Sequence, residues 1–251
     1  MKRLLSLTFV FMFIGTFSYA QVDGIKKGGR SGGSDRGRSS GMGSGAAAYF
    51  FVDFAVRSLV PWQINTLHKR GEVPNVLSLE VYGQAAIQPS TYYIFNPRVR
   101  GNWGIFFTDF RMNYMIEDKI GGPSDLRTDD WQILGLNVVN TRMVTARVST
   151  GIMHEAYAGG HIFQESAAGL SVMKPDQSFG VMGEFRWAHD YNTGLSRRME
   201  ASLNVQRKIF DRGSIHLYGT GGIMFQRYYN EITVWGVQAG VAMKVYRLND
   251  L

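Results

Sequence analysis

Between residues 76 and 246, apolar and polar side chains alternate in roughly ten runs, each about 10–13 residues long and separated by turn residues. Successive side chains of a strand point to opposite faces, so this two-residue period predicts strands. In residues 76–87, Leu77, Leu79 and Val81 share one face, and Ser78, Glu80, Tyr82 and Gln84 share the other. In residues 92–103, Tyr93, Phe95, Val99 and Trp103 alternate with Asn96, Arg98, Arg100 and Asn102. In residues 105–116, Phe106, Phe110, Met112 and Tyr114 oppose Asp109, Arg111 and Asn113. The run at 179–189 sets Phe179, Val181, Phe185 and Trp187 against Glu184 and Arg186. The run at 198–208 sets Met199, Ala201, Leu203 and Val205 against Glu200, Ser202, Asn204 and Gln206. Runs at 131–139, 142–153, 162–173, 215–228 and 232–246 alternate less strictly, because Gly and Ala occupy both faces.

The length of the runs narrows the fold. Strands of soluble proteins average about 5–6 residues, whereas a tilted strand crossing a bilayer needs about 9–11. The pattern therefore predicts an all-β chain: a closed antiparallel up-and-down transmembrane β-barrel of about ten strands, with eight or twelve also compatible. Tight turns at 101–104, 140–141, 174–177 and 211–213 mark one edge, and longer connections at 117–130, 155–160 and 189–197 mark the other. With an even strand count both chain ends fall on the short-turn side.

The first 75 residues read differently. Residues 1–20 have the form of a cleavable export signal: Lys2 and Arg3, an apolar core over 4–17, and the small-x-small site Ser18-Tyr19-Ala20. Residues 21–45 are Gly/Ser/Arg-rich and predict an unstructured tether. In residues 46–75, Phe51, Phe54, Ala55, Leu59, Trp62 and Leu67 recur at three- and four-residue spacings, predicting a short amphipathic helix at the barrel's rim or mouth, or a plug. Residues 76–251 are left as the barrel domain. The chain has no cysteine, so neither lipid acylation of a thiol nor a disulfide is available. Of the formal net charge of +7, residues 1–20 carry +2, 21–45 carry +3, 46–75 carry +1 and 76–251 carry +1. The folded part is thus nearly balanced and shows no basic face for nucleic acid.

Three features separate a membrane barrel from a soluble one with an apolar interior. Lysine, common on solvated strands, occurs only at Lys119, Lys174, Lys208 and Lys244 after residue 75. Aromatics such as Trp103, Trp131, Trp187, Tyr191, Tyr228, Tyr229 and Trp235 cluster near run ends, where interfacial girdles form. The last run contains Gln238-x-Gly240-x-x-Met243-x-Val245. This resembles the terminal-strand signal read by barrel-assembly machineries, and the chain as a whole resembles small bacterial outer-membrane β-barrels as a class, although Tyr246 is followed by five more residues. The resemblance implies export to the outer membrane of a Gram-negative-type cell, contact with membrane lipid, assembly through those four residues, and possible periplasmic partners for residues 21–75. It predicts a non-enzymatic protein with a structural, accessory or adhesion-like role.

The polar face would line the lumen with Glu80, Asp109, Glu165, Glu184 and Glu200 against Arg98, Arg100, Arg111, Arg147, Arg186 and Lys244. Charges in a narrow interior must be paired, so this set predicts a filled lumen with little or no conductance. Three other constellations could carry chemistry. Ser214-x-His216, with Glu200 one run earlier, resembles in reversed order the His-x-Ser pair of lipid A deacylases, which implies a lipid-modifying alternative. His189-Asp190 with Asp129 and Asp130 is similar to the carboxylate and His–Asp sets of outer-membrane aspartyl-type proteases. His154, Glu155 and His161 flank one connection and have metal-ligating types, without a spacing that enforces geometry. No cofactor fingerprint is present, and a soluble periplasmic ligand-binding barrel is the remaining alternative.

Overall fold

Each main-chain N–H and C=O of an isolated strand needs a lateral partner, and here ten strands supply one another by pairing in sequence order and closing on themselves. The computed structural model describes residues 21–31, 65, 76–88, 92–118, 122–157, 160–191 and 193–246. The strands are β1 (Leu77–Gln88), β2 (Tyr92–Trp103), β3 (Phe106–Glu117), β4 (Ser124–Asn140), β5 (Val144–Glu155), β6 (His161–Met173), β7 (Phe179–Asp190), β8 (Leu195–Arg212), β9 (Ile215–Tyr228) and β10 (Ile232–Tyr246). All neighbours are antiparallel, and β1 pairs with β10 from Ser78↔Tyr246 to Ile87↔Val237, which closes the cylinder. At that seam Gly240 is obligatory in size: a Cβ there would stand 2.8 Å from the Gln84 Cα and closer still to the Gly83 carbonyl.

The alternation read from sequence becomes an outside and an inside. Leu203, Ile223, Val237 and Val241 project outward with 50%, 58%, 54% and 51% of their surface exposed, whereas Glu80, Arg186 and Gln206 point inward at 1%. An apolar wall surrounding a charged interior reverses the arrangement of a water-soluble barrel.

Two strands are longer than their alternation suggested. β4 begins at Ser124, so Asp125 to Asp130 belong to a strand where a loop over 117–130 was expected, and β8 runs through Arg212. Near a rim both faces of a strand are polar, so the period disappears while the hydrogen-bond ladder continues. In consequence the connections are short at both mouths: 118–123, 156–160 and 191–194 at one, 141–143, 174–178 and 213–214 at the other. In the 174–178 turn the Asp176 carboxylate accepts from the Ser178 N–H (3.0 Å) and hydroxyl (2.8 Å), and the backbone bond first among them lowers its pKa.

The helix also differs from expectation. Residues 21–31, read as part of an unstructured tether, form α1 (Gln21–Ser31). The segment expected to be helical, 46–75, lies outside the described residues apart from Asn65, as do residues 1–20 and 32–45. Val22 and Ile25, one helical turn apart, are fully buried in an apolar cup made by Tyr92, Ile94, Met115, Leu126, Met224, Tyr228 and Val234. α1 therefore plugs one mouth of the barrel. Gly24 and Gly28 let it lie flush: added Cβ atoms would stand 3.0 Å from Ile232 and 2.8 Å from the Tyr229 ring. Tyr229 itself takes a left-handed backbone, φ 52°, in the β9–β10 turn. This is the mouth opposite the one where β1 starts and β10 ends.

Gly28→Leu is expected to overfill the contact with Tyr229 and weaken plug docking by about 1–3 kcal/mol. Trypsin should then cut after Lys27 faster than in wild type while the barrel strands stay intact. An unchanged cleavage rate would contradict the packing described.

Candidate functional site

The interior is the chemically distinctive part of the molecule, and its charged residues come from strands whose inward positions recur every second residue. All eleven residues assigned to the lumen from sequence turn inward, and the structure adds Asp130 and Arg198. Asp109 sits between Arg98, Arg100 (2.9 Å) and Arg186 (3.0 Å). Glu184 accepts from Arg98 (2.7 Å), Arg100 (3.3 Å) and Arg186. Asp130 binds Arg111 (2.6 Å) and Arg198 (2.7 Å), and Glu165 binds Arg198 (2.6 Å) and Arg186 (3.3 Å). Glu200 completes this lattice with Arg111 and with Gln226 at 2.8 Å. Glu80 stands apart, held by Tyr82, Asn102 (3.1 Å), Arg100 (3.7 Å) and Arg147 (3.5 Å). Lys244 lies over the Tyr218 ring, 4.8 Å from its centroid.

Several of these bonds cross the lumen. Arg98 on β2 reaches Glu184 on β7, Arg111 on β3 reaches Glu200 on β8, and Arg198 on β8 reaches Asp130 on β4. They occupy the position that an apolar core holds in a soluble protein. A buried guanidinium without a carboxylate is costly, so such residues survive only as a set.

Asp130 and Arg198 escaped the sequence reading for a boundary reason: one was placed in a loop and the other at the first position of a run. The Asp129-Asp130 pair resolves by strand geometry. Asp129 faces out towards Arg127 (3.0 Å) and His154 (3.5 Å), while Asp130 faces the lumen.

The catalytic candidates are not brought together. Glu200 pairs with Gln226 on β9, ten residues along from His216, which is about 33 Å at the rise of a strand. His216 instead meets Asp211 (3.2 Å) and the Gly213 carbonyl (3.3 Å) beside the β8–β9 turn, and the Ser214 carbonyl accepts the Tyr246 N–H. Asp190, the other acid of the protease-like set, is buried on Arg197 at 2.6 Å. Glu155 points into the barrel and His154 out of it, and among the described residues no three His, Asp or Glu side chains converge as metal ligands. Gln238 of the terminal-strand pattern is buried against Asn204 at 2.6 Å, whereas Met243 points outward.

At the plugged mouth the Val22 N–H in the first turn of α1 donates to Glu117 (2.9 Å), which also accepts from the Tyr92 hydroxyl (2.9 Å). Glu117 thereby satisfies one of the free N–H groups of the helix start, where the helix dipole favours a carboxylate. Ser124 donates to Asp23 (2.8 Å), and Lys26 approaches Asp125 (3.8 Å). The signal for this docking was present in Val22, Gly24, Ile25 and Gly28, but the surrounding composition concealed it.

Neither a model of a known protein family nor a curated protein sequence matches this chain.

Arg186→Met should leave Asp109, Glu165 and Glu184 short of a partner and cost about 3–5 kcal/mol in unfolding free energy. Denaturant titration of the refolded barrel measures it. Loss of less than about 1 kcal/mol, the range of an exposed ion pair, would mean the lattice is solvated.

Proposed function

We propose that this chain is an integral outer-membrane β-barrel, non-enzymatic, with a structural, accessory or adhesion-like role and no open pore. The observation that carries the reading is the apolar outer wall around a salt-bridged lumen. In water such a wall would expose most of ten strands' apolar side chains, whereas lipid accepts them and a closed ladder leaves no polar edge. Absence of an open pore follows from the two barriers in series, α1 in one mouth and the ionic lattice behind it. Lipid is then the partner of the wall. The assembly machinery would engage Gln238, Gly240, Met243 and Val245, with Gly240 needed for the seam itself. A periplasmic partner falls to residues 32–75, because residues 21–31 are taken up by the barrel.

Cell fractionation with a gel of boiled and unboiled samples tests the placement. The expected result is protein in the outer-membrane fraction that migrates faster before boiling; recovery in the soluble periplasmic extract would overturn it. Leu203→Arg places a charge on the outward face and should destabilise the inserted barrel by about 2–4 kcal/mol if that position lies near the bilayer midplane. Wild-type stability of the variant would put this face in water.

The orientation is testable separately, since the chain has no cysteine. With the start of β1 and the end of β10 periplasmic, α1 occupies the outer mouth. Lys27→Cys, on the exposed side of α1, should react with a membrane-impermeant maleimide in intact cells. Labelling only after permeabilisation would turn this mouth towards the periplasm.

A further inference from the structure

We propose that the lumen binds one small monovalent anion of the halide class against Arg147 and Arg98. The lattice matches five carboxylates, Asp109, Asp130, Glu165, Glu184 and Glu200, with five guanidiniums, those of Arg98, Arg100, Arg111, Arg186 and Arg198. Glu80 is left with two cations, Arg147 at 3.5 Å and Lys244 opposite it in the β1–β10 register, so this part of the interior carries one positive charge more than its carboxylates neutralise. Lys244 is 5% exposed and forms no ion pair among the described residues. Arg147 uses its Nε on Asn137 (3.0 Å) and one terminal nitrogen on Glu80 (3.5 Å), and its guanidinium lies 6.0 Å from the centre of the Phe107 ring. Its other N–H groups have no partner among the described residues.

Those free donors adjoin a cavity of about 50 Å³ lined by Arg98, Arg147, Ser149 and Asn204, with the Asp109, Glu184 and Glu200 carboxylates, each already paired with arginine, also on its wall. Arg100, also on the wall, has a buried Nε without a partner. One water needs about 10–15 Å³ of such space, so the cavity holds a few waters or one halide. Water would satisfy the N–H groups and leave the charge, which is costly in a low-dielectric interior. An anion satisfies both. The single excess charge and the three carboxylates on the wall limit the ion to one negative charge, and the volume selects a small one.

The site lies inside the barrel, so its test is independent of what bathes the outer wall. The refolded protein is melted at constant ionic strength while chloride replaces gluconate, which is too bulky for the cavity. Above the dissociation constant the Tm should rise by about 3–6 °C for each tenfold increase in chloride. Arg147→Gln should abolish that dependence, and Arg142→Gln, on an exposed turn, should keep it. Crystals grown in bromide should show anomalous scattering in the cavity. A wild-type Tm indifferent to chloride, or a cavity without bromide, overturns the proposal. If Arg147→Gln fails to refold, the wild-type chloride series and the bromide signal decide by themselves.

Discussion

Arg186 holds Asp109, Glu165 and Glu184, from three different strands, and the lumen is organised around that junction. A guanidinium presents five donors in a fixed plane, so it can join several carboxylates where lysine would offer a point charge. This explains the choice of arginine for the lattice and the near absence of lysine from the strands. Each bridge across the lumen also ties together strands that are not neighbours. A slip of one residue in any register would turn the charged set outward and the apolar set inward, so the lattice specifies register as well as filling space.

The two ends of the interior are electrically different. Towards the chain termini Arg147 pairs with Glu80, and Lys244 is buried opposite Glu80 on the neighbouring strand; towards the other mouth lie Glu117, Glu155 and Asp190, with Arg197 among them. α1 presents its N-terminal N–H groups to this acidic mouth and buries Val22 and Ile25 in its apolar cup. The plug is thus matched to its seat by charge and by shape, and Gly24 and Gly28 provide the closeness that the match requires.

The barrel was legible because strand alternation records the environment on each face. Runs such as 92–103 and 179–189, where one face is uniformly apolar and the other charged, coincide closely with β2 and β7. The same logic failed at Asp125 to Asp130, where pairing continues past the apolar band and both faces become polar. For Ser214, His216 and Glu200 the alternation left the question open for another reason: it gives the face a side chain takes and not its height along the axis. The 21–31 helix was missed because composition averages over a window, and two apolar residues among glycines and charges look like linker until a cup exists to receive them.

Sequence alone determined the period, the strand lengths, the division into apolar and charged faces and the identity of most lumen residues, since these depend only on which neighbours share a face. The closure of β1 on β10, the pairing of particular charges across the lumen, the distance between His216 and Glu200, and the seating of α1 were decided by tertiary structure. All of them depend on the strand stagger and the diameter of the cylinder, which arise when ten strands close together and are properties of no single segment.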